Sequence, residues 1–152
     1  RSSELAAGRS RFRVLFGAHC RDVLVPPWNR LAETMIPALS ALGIVALSRQ
    51  GARRRRDLAP GLQQVNTHLD PIDWHGSRGF IGEAEALDRL VGHLAARRQG
   101  KVDPEEPTGL LTHHLVQDEA GSRFVERLLD ATSGNPAARW IDLDRALTPA
   151  QP

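Results

Sequence analysis

Short apolar runs alternate along the chain with longer stretches in which apolar residues recur at helical spacing. The runs at 22–25, 44–47 and 62–67 are too short for helices and are bounded by proline, glycine or polar residues, so they predict buried strands. Two shorter strand candidates lie at 109–112 and 139–141, the second followed by a short helix and a proline-containing tail. This pattern already indicates several strands spread over most of the chain.

The stretches between these runs predict helices over 3–16, 31–42, 82–99 and 118–132. The helical period is clearest in the third, where apolar residues lie three or four positions apart and Gly100 follows the last turn. Pro37 should kink or restart the second helix. Strands alternating with helices are typical of an α/β fold, in which parallel strands are covered by helices.

Unusual polar and aromatic residues follow three of the predicted strands. In parallel α/β folds the carboxyl ends of the strands carry the active site, so these groups predict one shared site. At most one of His113 and His114 should point into a cleft, because successive side chains of a strand point to opposite faces. The three groups lie at 26–30, 66–75 and 112–114.

Each group also has a plain structural interpretation. Asp70 and Asp73 are suited to orienting a histidine, to acid–base chemistry or to metal binding, but Asp70-Pro71 is also ordinary turn chemistry. Trp74 is suited to an apolar wall for a ligand, and equally to core packing. Both alternatives stay open on the residues alone.

Composition narrows the class of protein. Of the 152 residues 41% are apolar and 25% charged, which indicates a globular chain, and no apolar run is long enough to span a membrane. The single cysteine, Cys20, excludes a disulfide framework and a cysteine-based zinc site, and it favours a reducing compartment such as the cytoplasm.

The basic residues are 19 arginines and one lysine, yet the net charge is only +2, which argues against a nucleic-acid binder. Only Arg53–Arg56 forms a cluster of like charge. Because Gly51 precedes this run and Pro60 follows it, a solvated loop is the favoured interpretation, and a contact with an anion is the functional alternative.

The order of the three groups resembles the last three motifs of the polysaccharide deacetylases, the carbohydrate esterases with nodulation-deacetylase homology, in a bacterial deacetylase-like branch. Residues 3–145 carry the resemblance. The matching motifs are Val25-Pro26-Pro27-Trp28-Asn29, Asp70-x-x-Asp73-Trp74 and Leu111-Thr112-His113.

This resemblance implies a partial (β/α) barrel of the glycoside hydrolase and deacetylase type whose N-terminal strands are missing. It implies metal-dependent removal of acetyl groups from carbohydrate amides or esters. The implied catalytic residues are His113 as general acid and Asp70 and Asp73 as the groups that orient it. The implied substrate-binding residues are Pro27 and Trp28 in the groove, Trp74 as apolar wall and Leu111 beside the acetyl methyl group.

The chain departs from the family pattern upstream of these motifs. It has no Asp-Asp pair and no His-x-x-x-His sequence, and Val25 stands where the family carries an arginine. A barrel of this kind needs on the order of 200–250 residues. We therefore expect residues 1–152 to be the C-terminal portion of one domain, inactive by itself. The divalent metal, zinc or similar, is expected in a full-length parent, with no complete metal site in this chain.

A second hypothesis is a non-catalytic carbohydrate-binding or interaction protein derived from the same fold, which the valine at position 25 favours. The partners expected under either hypothesis are a carbohydrate or acetylated sugar, with no nucleic acid and no membrane. Self-association through exposed barrel edges is also expected, because unpaired strand edges and apolar surface promote association.

Overall fold

The computed structural model describes residues 2–147, and the predicted tail at 148–152 lies outside this range. Short 3₁₀ helices connect several of the elements, at Gly17–His19, Pro27–Asn29 and Glu33–Met35. The helices are α1 (Ser2–Phe16), α2 (Ile36–Ala41), α3 (Glu83–Arg98), α4 (Glu119–Ser133) and α5 (Leu143–Leu147). The strands are β1 (Val23–Leu24), β2 (Ala46–Leu47), β3 (Asp57–Ala59) and β4 (Leu62–Gln64).

The strands form one four-stranded sheet in the order β1-β2-β4-β3. β1, β2 and β4 are parallel, whereas β3 pairs antiparallel with β4. The β3–β4 connection is a tight hairpin, and Gly61 adopts a positive φ of 72° there, a conformation that glycine accepts without steric cost. Because parallel strands point the same way, the loops that follow β1, β2 and β4 meet at one edge of the sheet.

The α/β fold class predicted from the sequence is confirmed. The partial barrel is not what the structure has: within residues 2–147 the sheet is mixed and open, with β1 and β3 as its edges. The physical reason is the β3–β4 hairpin, which places an antiparallel strand beside β4. Residues 57–59 lie next to the arginine run and are expected from the sequence to be part of its loop, so β3 is not predicted.

The predicted helices at 3–16, 82–99 and 118–132 are confirmed as α1, α3 and α4. The predicted helix at 31–42 begins as a 3₁₀ helix and continues as α2, with Pro37 in its first turn, where a missing backbone N–H costs nothing. The strand expected at 109–112 is reduced to one parallel bridge between Leu69 and Leu110. Residues 139–141 form no strand in the described part of the chain.

Two apolar clusters hold these elements together. The first packs α1 and α2 on the sheet around Ile36, Leu39, Ile44, Leu47 and Leu62. The second joins α3 and α4 to the chain beyond β4 around Leu69, Ala86 and Phe124. The backbone from Leu62 to Leu69 therefore runs from one cluster into the other, and it delivers Asp70 to the end of the second.

α1 is held to the sheet by charge as well as by apolar contact. Arg9 Nε donates to Asp22 Oδ1 at 2.5 Å, and Arg13 also donates to this carboxylate. The two guanidinium groups, Arg9 foremost, lower the pKa of Asp22 from 3.8 to about 2. No helix among residues 2–147 is both long and apolar enough to cross a membrane.

Candidate active site

The candidate site is built where two extended segments, joined by one parallel bridge, approach each other. Leu69 and Leu110 are parallel neighbours, and the Leu111 amide donates to the Leu69 carbonyl at 2.9 Å. Gly109 makes this approach possible, because a Cβ at that position would lie 2.5 Å from the Asn66 carbonyl oxygen. The close pairing brings the residues after Leu111 beside those after Leu69.

Asp70 is the centre of the site and is only 5% exposed. Its Oδ1 accepts from the backbone N–H of Ile72 at 3.1 Å and lies 3.1 Å from Nε2 of His113. Its Oδ2 accepts from the Trp74 indole N–H at 2.9 Å. Three donors thus satisfy a buried carboxylate, as burial of such a group requires.

His113 is oriented by that carboxylate and remains open on its other side. Its side chain is 25% exposed, and Nδ1 has no hydrogen-bond partner among residues 2–147. The edge of Trp74 packs against the His113 ring with centroids 4.9 Å apart and an interplanar angle of 83°. Because the Asp70 carboxylate accepts a hydrogen bond from Nε2–H, neutral His113 has its lone pair at Nδ1.

Trp28 extends this aromatic surface from the loop that follows β1. Its ring lies 6.5 Å from that of Trp74, centroid to centroid, and its side chain is 82% exposed. Trp28 and Asn29 both have positive φ angles, 57° and 56°. A left-handed backbone at a bulky residue is strained, and such strain concentrates at functional sites.

The structure joins only some of the predicted site residues. Asp73 makes no hydrogen bond to His113 within residues 2–147: its two carboxylate oxygens accept from the Gly76 and Ser77 amides at 2.9 and 3.0 Å, closing a turn. These backbone donors, Ser77 first, lower the pKa of Asp73. Asp70 therefore orients the histidine alone, while Asp73 shapes the loop that carries Trp74.

The remaining predicted residues lie around the site without a polar contact to it. Pro27 is exposed and opens the short helix that carries Trp28. Leu111 is half-buried on the strand pair, two residues before His113. His114 is exposed in a turn, whereas His113 contacts Asp70; neither residue lies in a strand, so the strand alternation expected for this pair is not what separates them.

A second polar cluster, not predicted from the sequence, includes His68, two residues before Asp70. The rings of His68 and His93 stack with centroids 3.5 Å apart, and His68 Nε2 lies 3.4 Å from Oε2 of Glu106, which is fully buried. Glu106 also accepts from the Arg53 amide at 2.8 Å. Burial, foremost, lowers the pKa of His93 from 6.5 to about 4.

His68, His93 and Glu106 are residue types that bind metals, with ligand atoms within 4.8 Å of one another. The hydrogen bonds of His68 argue against a cation there. The Gly109 amide donates to His68 Nδ1 at 3.0 Å, so neutral His68 carries its proton on Nε2, the atom that faces Glu106. The donor set therefore does not fit a metal ion.

Comparison with known proteins finds one distant similarity. The chain is 27% identical over 124 residues to proteins named "CinA-like protein" from Mycobacterium tuberculosis and Mycobacterium bovis. The aligned region covers 80% of this chain, and the chain spans 29% of the length of these curated relatives. No family model matches the sequence, and no solved structure matches it.

These findings correct the resemblance to polysaccharide deacetylases. The similarity detected is to proteins of another family, no deacetylase model matches, and the sheet is a small mixed one. The predicted carbohydrate deacetylase is therefore wrong, and the alternative derived from the same fold has no support. The three motifs are short, and each is explained locally, by a turn at Asp73 and by aromatic and polar residues at strand ends.

Proposed function

We propose that the chain carries out acid–base chemistry, with His113 as the residue that accepts and returns a proton. The observation that supports this role is the hydrogen bond from His113 to the buried, fully satisfied Asp70, which leaves Nδ1 of the imidazole open. A neutral imidazole accepts a proton at Nδ1, and the Asp70 carboxylate stabilises the imidazolium that forms. Asp70 acts as a positioning residue.

The ligand class follows from the walls of the site. Trp74 stands edge-on to His113, and Trp28 stands at 71° to Trp74, so apolar ring surface borders the open imidazole nitrogen. Such surface binds a flat ligand or one with a flat apolar face. The sugar predicted from the sequence also has such a face, and it therefore belongs among the ligands to be compared.

The proposal is tested with nitrobenzisoxazole, a flat probe whose ring opens when a base removes one proton. The proton passes to Nδ1, its bonding electrons form the nitrile, and the N–O bond breaks to leave a coloured phenolate. We expect His113→Gln to lower the second-order rate constant about a hundredfold, the low end for a positioned base. His114→Gln removes the exposed neighbouring imidazole and should leave the rate unchanged.

Two outcomes contradict the proposal. In one, the wild-type chain opens the probe no faster than free imidazole at the same concentration. In the other, His113→Gln and His114→Gln lower the rate equally. Quenching of tryptophan fluorescence by the probe and by N-acetylglucosamine separates the two ligand types, and quenching without turnover indicates a binding site alone.

Self-association remains a prediction, but the surfaces proposed for it are strand β1 and helix α1 rather than barrel edges. β1 is an edge strand, and several apolar side chains of α1 are exposed, Val14 by 84% and Leu15 by 62%. Exposed apolar surface beside an unpaired strand edge favours a second copy. Sedimentation equilibrium of the wild type and of Val14→Lys tests it, and identical monomeric masses for the two proteins contradict it.

A further inference from the structure

A cavity opens at the edge of the sheet where the loop after β2 lies, and we propose that it binds the phosphate group of a small phosphorylated molecule. Its volume is about 660 Å³, which is within the range of small-molecule sites. It lies between the loop after β2, strand β3 and the end of β4. We call it the arginine cavity, after Arg49, Arg54 and Arg55 in its lining.

Arg49 supplies the strongest argument. Its Nη1 donates to Glu33 Oε1 at 2.6 Å, whereas its Nε and Nη2 are buried and have no hydrogen-bond partner within residues 2–147. Those two nitrogens form the side of the guanidinium group that grips a phosphate or carboxylate with two parallel hydrogen bonds. Buried donors without partners are costly, so a shift of the Arg49 side chain that exposes both nitrogens to a ligand in the cavity is favoured.

The backbone at Arg49 is held in place by the Asn66 side chain. The Asn66 side chain is 3% exposed, and its Oδ1 accepts from the Arg49 amide at 3.0 Å and from Gln64 Nε2 at 3.1 Å. Asn66 Nδ2 donates to the Gly51 carbonyl at 2.6 Å. One amide side chain therefore ties the loop after β2 to the end of β4.

The charge of the lining favours a dianion. Three arginines face a single carboxylate, Glu33, which leaves two positive charges in excess. The arginines of the run Arg53–Arg56 differ in where their side chains lie. Arg53 turns inward to Asp103 and to the Gln64 carbonyl, whereas Arg54 and Arg55 are exposed along the cavity. The anion contact considered for this run therefore belongs to its two middle members, together with Arg49.

The test is isothermal titration calorimetry with inorganic phosphate and with pyrophosphate, at low ionic strength so that exposed charges are little screened. We expect Arg49→Gln to weaken binding about ten- to hundredfold, as for a lost pair of charge-assisted hydrogen bonds. Arg49→Lys keeps the charge and loses the paired donors, and it should retain little of the affinity. Arg98→Gln, which removes an exposed arginine at the end of α3, should bind as the wild type does.

Three results overturn the proposal: no binding of either anion by the wild type, equal weakening by Arg49→Gln and Arg98→Gln, or full affinity in Arg49→Lys. Binding of a nucleic acid without binding of phosphate or pyrophosphate also overturns it, in favour of a polymer. Circular dichroism of each variant identifies unfolding. Should Arg49→Gln unfold, Arg54→Gln and Arg55→Gln replace it, each with an expected loss of about two- to fivefold.

Discussion

Asp70 and Arg49 are both charged side chains that follow parallel strands, but the protein satisfies them very differently. Three donors surround the Asp70 carboxylate, and one of them is the His113 imidazole. Arg49 has one carboxylate partner and two buried nitrogens without any. A charged group whose hydrogen bonds are all made orients its neighbours. A charged group with unused hydrogen-bond donors can bind a ligand.

The largest expected effect comes from removing the charge of Asp70. In Asp70→Asn the amide NH₂ replaces one carboxylate oxygen and faces the donors of that oxygen, either the Trp74 indole or the Ile72 amide and His113, so we expect the free energy of unfolding to fall by about 2–3 kcal/mol. Urea unfolding followed by tryptophan fluorescence measures this change, since Trp74 is a direct partner of Asp70.

Asp73→Asn is the matched control for this experiment. Its carboxylate accepts only from backbone amides of its own turn, and the substituted amide keeps one acceptor for them. We expect a clearly smaller loss of stability and an unchanged NMR spectrum of the His113 imidazole. Equal losses in the two variants would show that Asp70 is no more central than a turn residue.

A change in pH tests the buried His68–His93 cluster, which resembles the Arg49 site in leaving polar atoms without partners. Because the pKa of folded His93 is lowered from 6.5 to about 4, the unfolded chain binds the extra proton first. The contribution of neutral, folded His93 to the free energy of unfolding is thus fully present above pH 6.5 and is lost as the pH falls towards about 4.

His93→Gln removes the titrating group, and it should flatten the fall of the urea midpoint between neutral pH and about pH 4. His75→Gln replaces an exposed loop histidine and should keep the full fall. A midpoint in His93→Gln that declines as steeply as in the wild type assigns the pH dependence to other groups.

The strained backbone at Trp28 provides a smaller effect, in which two variants differ in stability but not in binding. Trp28→Gly relieves a left-handed conformation and should raise the free energy of unfolding by about 1 kcal/mol relative to Trp28→Ala, which keeps the strain. Both variants lose the exposed ring and should bind the flat probe equally weakly. If the glycine variant is no more stable than the alanine variant, the left-handed backbone stores no strain.

Local sequence patterns predict the parts of this fold that depend on local physics. Apolar spacing indicates α1, α3 and α4, and short apolar runs indicate β1, β2 and β4. The proximity of His113 to Asp70 agrees with the shared site expected from the sequence, although the segment before His113 forms only one parallel bridge, between Leu110 and Leu69.

The remaining features depend on contacts between distant parts of the chain. Arg53 and Glu106 lie 53 residues apart, and no spacing rule connects a loop arginine to a glutamate between two prolines. The unpartnered face of Arg49 is likewise a property of the assembled cavity. The deacetylase resemblance is wrong because its motifs contain residues such as Asp73 that close a local turn. Such residues carry little information about the whole fold.

The smallest expected effect is at Glu33, the one acidic residue that borders the arginine cavity. Its side chain is 70% exposed, so its ion pair with Arg49 contributes only about 0.2–1 kcal/mol. Glu33→Gln removes a negative charge from the lining and should strengthen pyrophosphate binding about two- to threefold in calorimetry. Glu126→Gln, an exposed position on α4, should have no effect. Weaker binding in Glu33→Gln would instead show that Glu33 orients Arg49, as Asp70 orients His113. The two sites would then differ only in the two Arg49 nitrogens that have no partner.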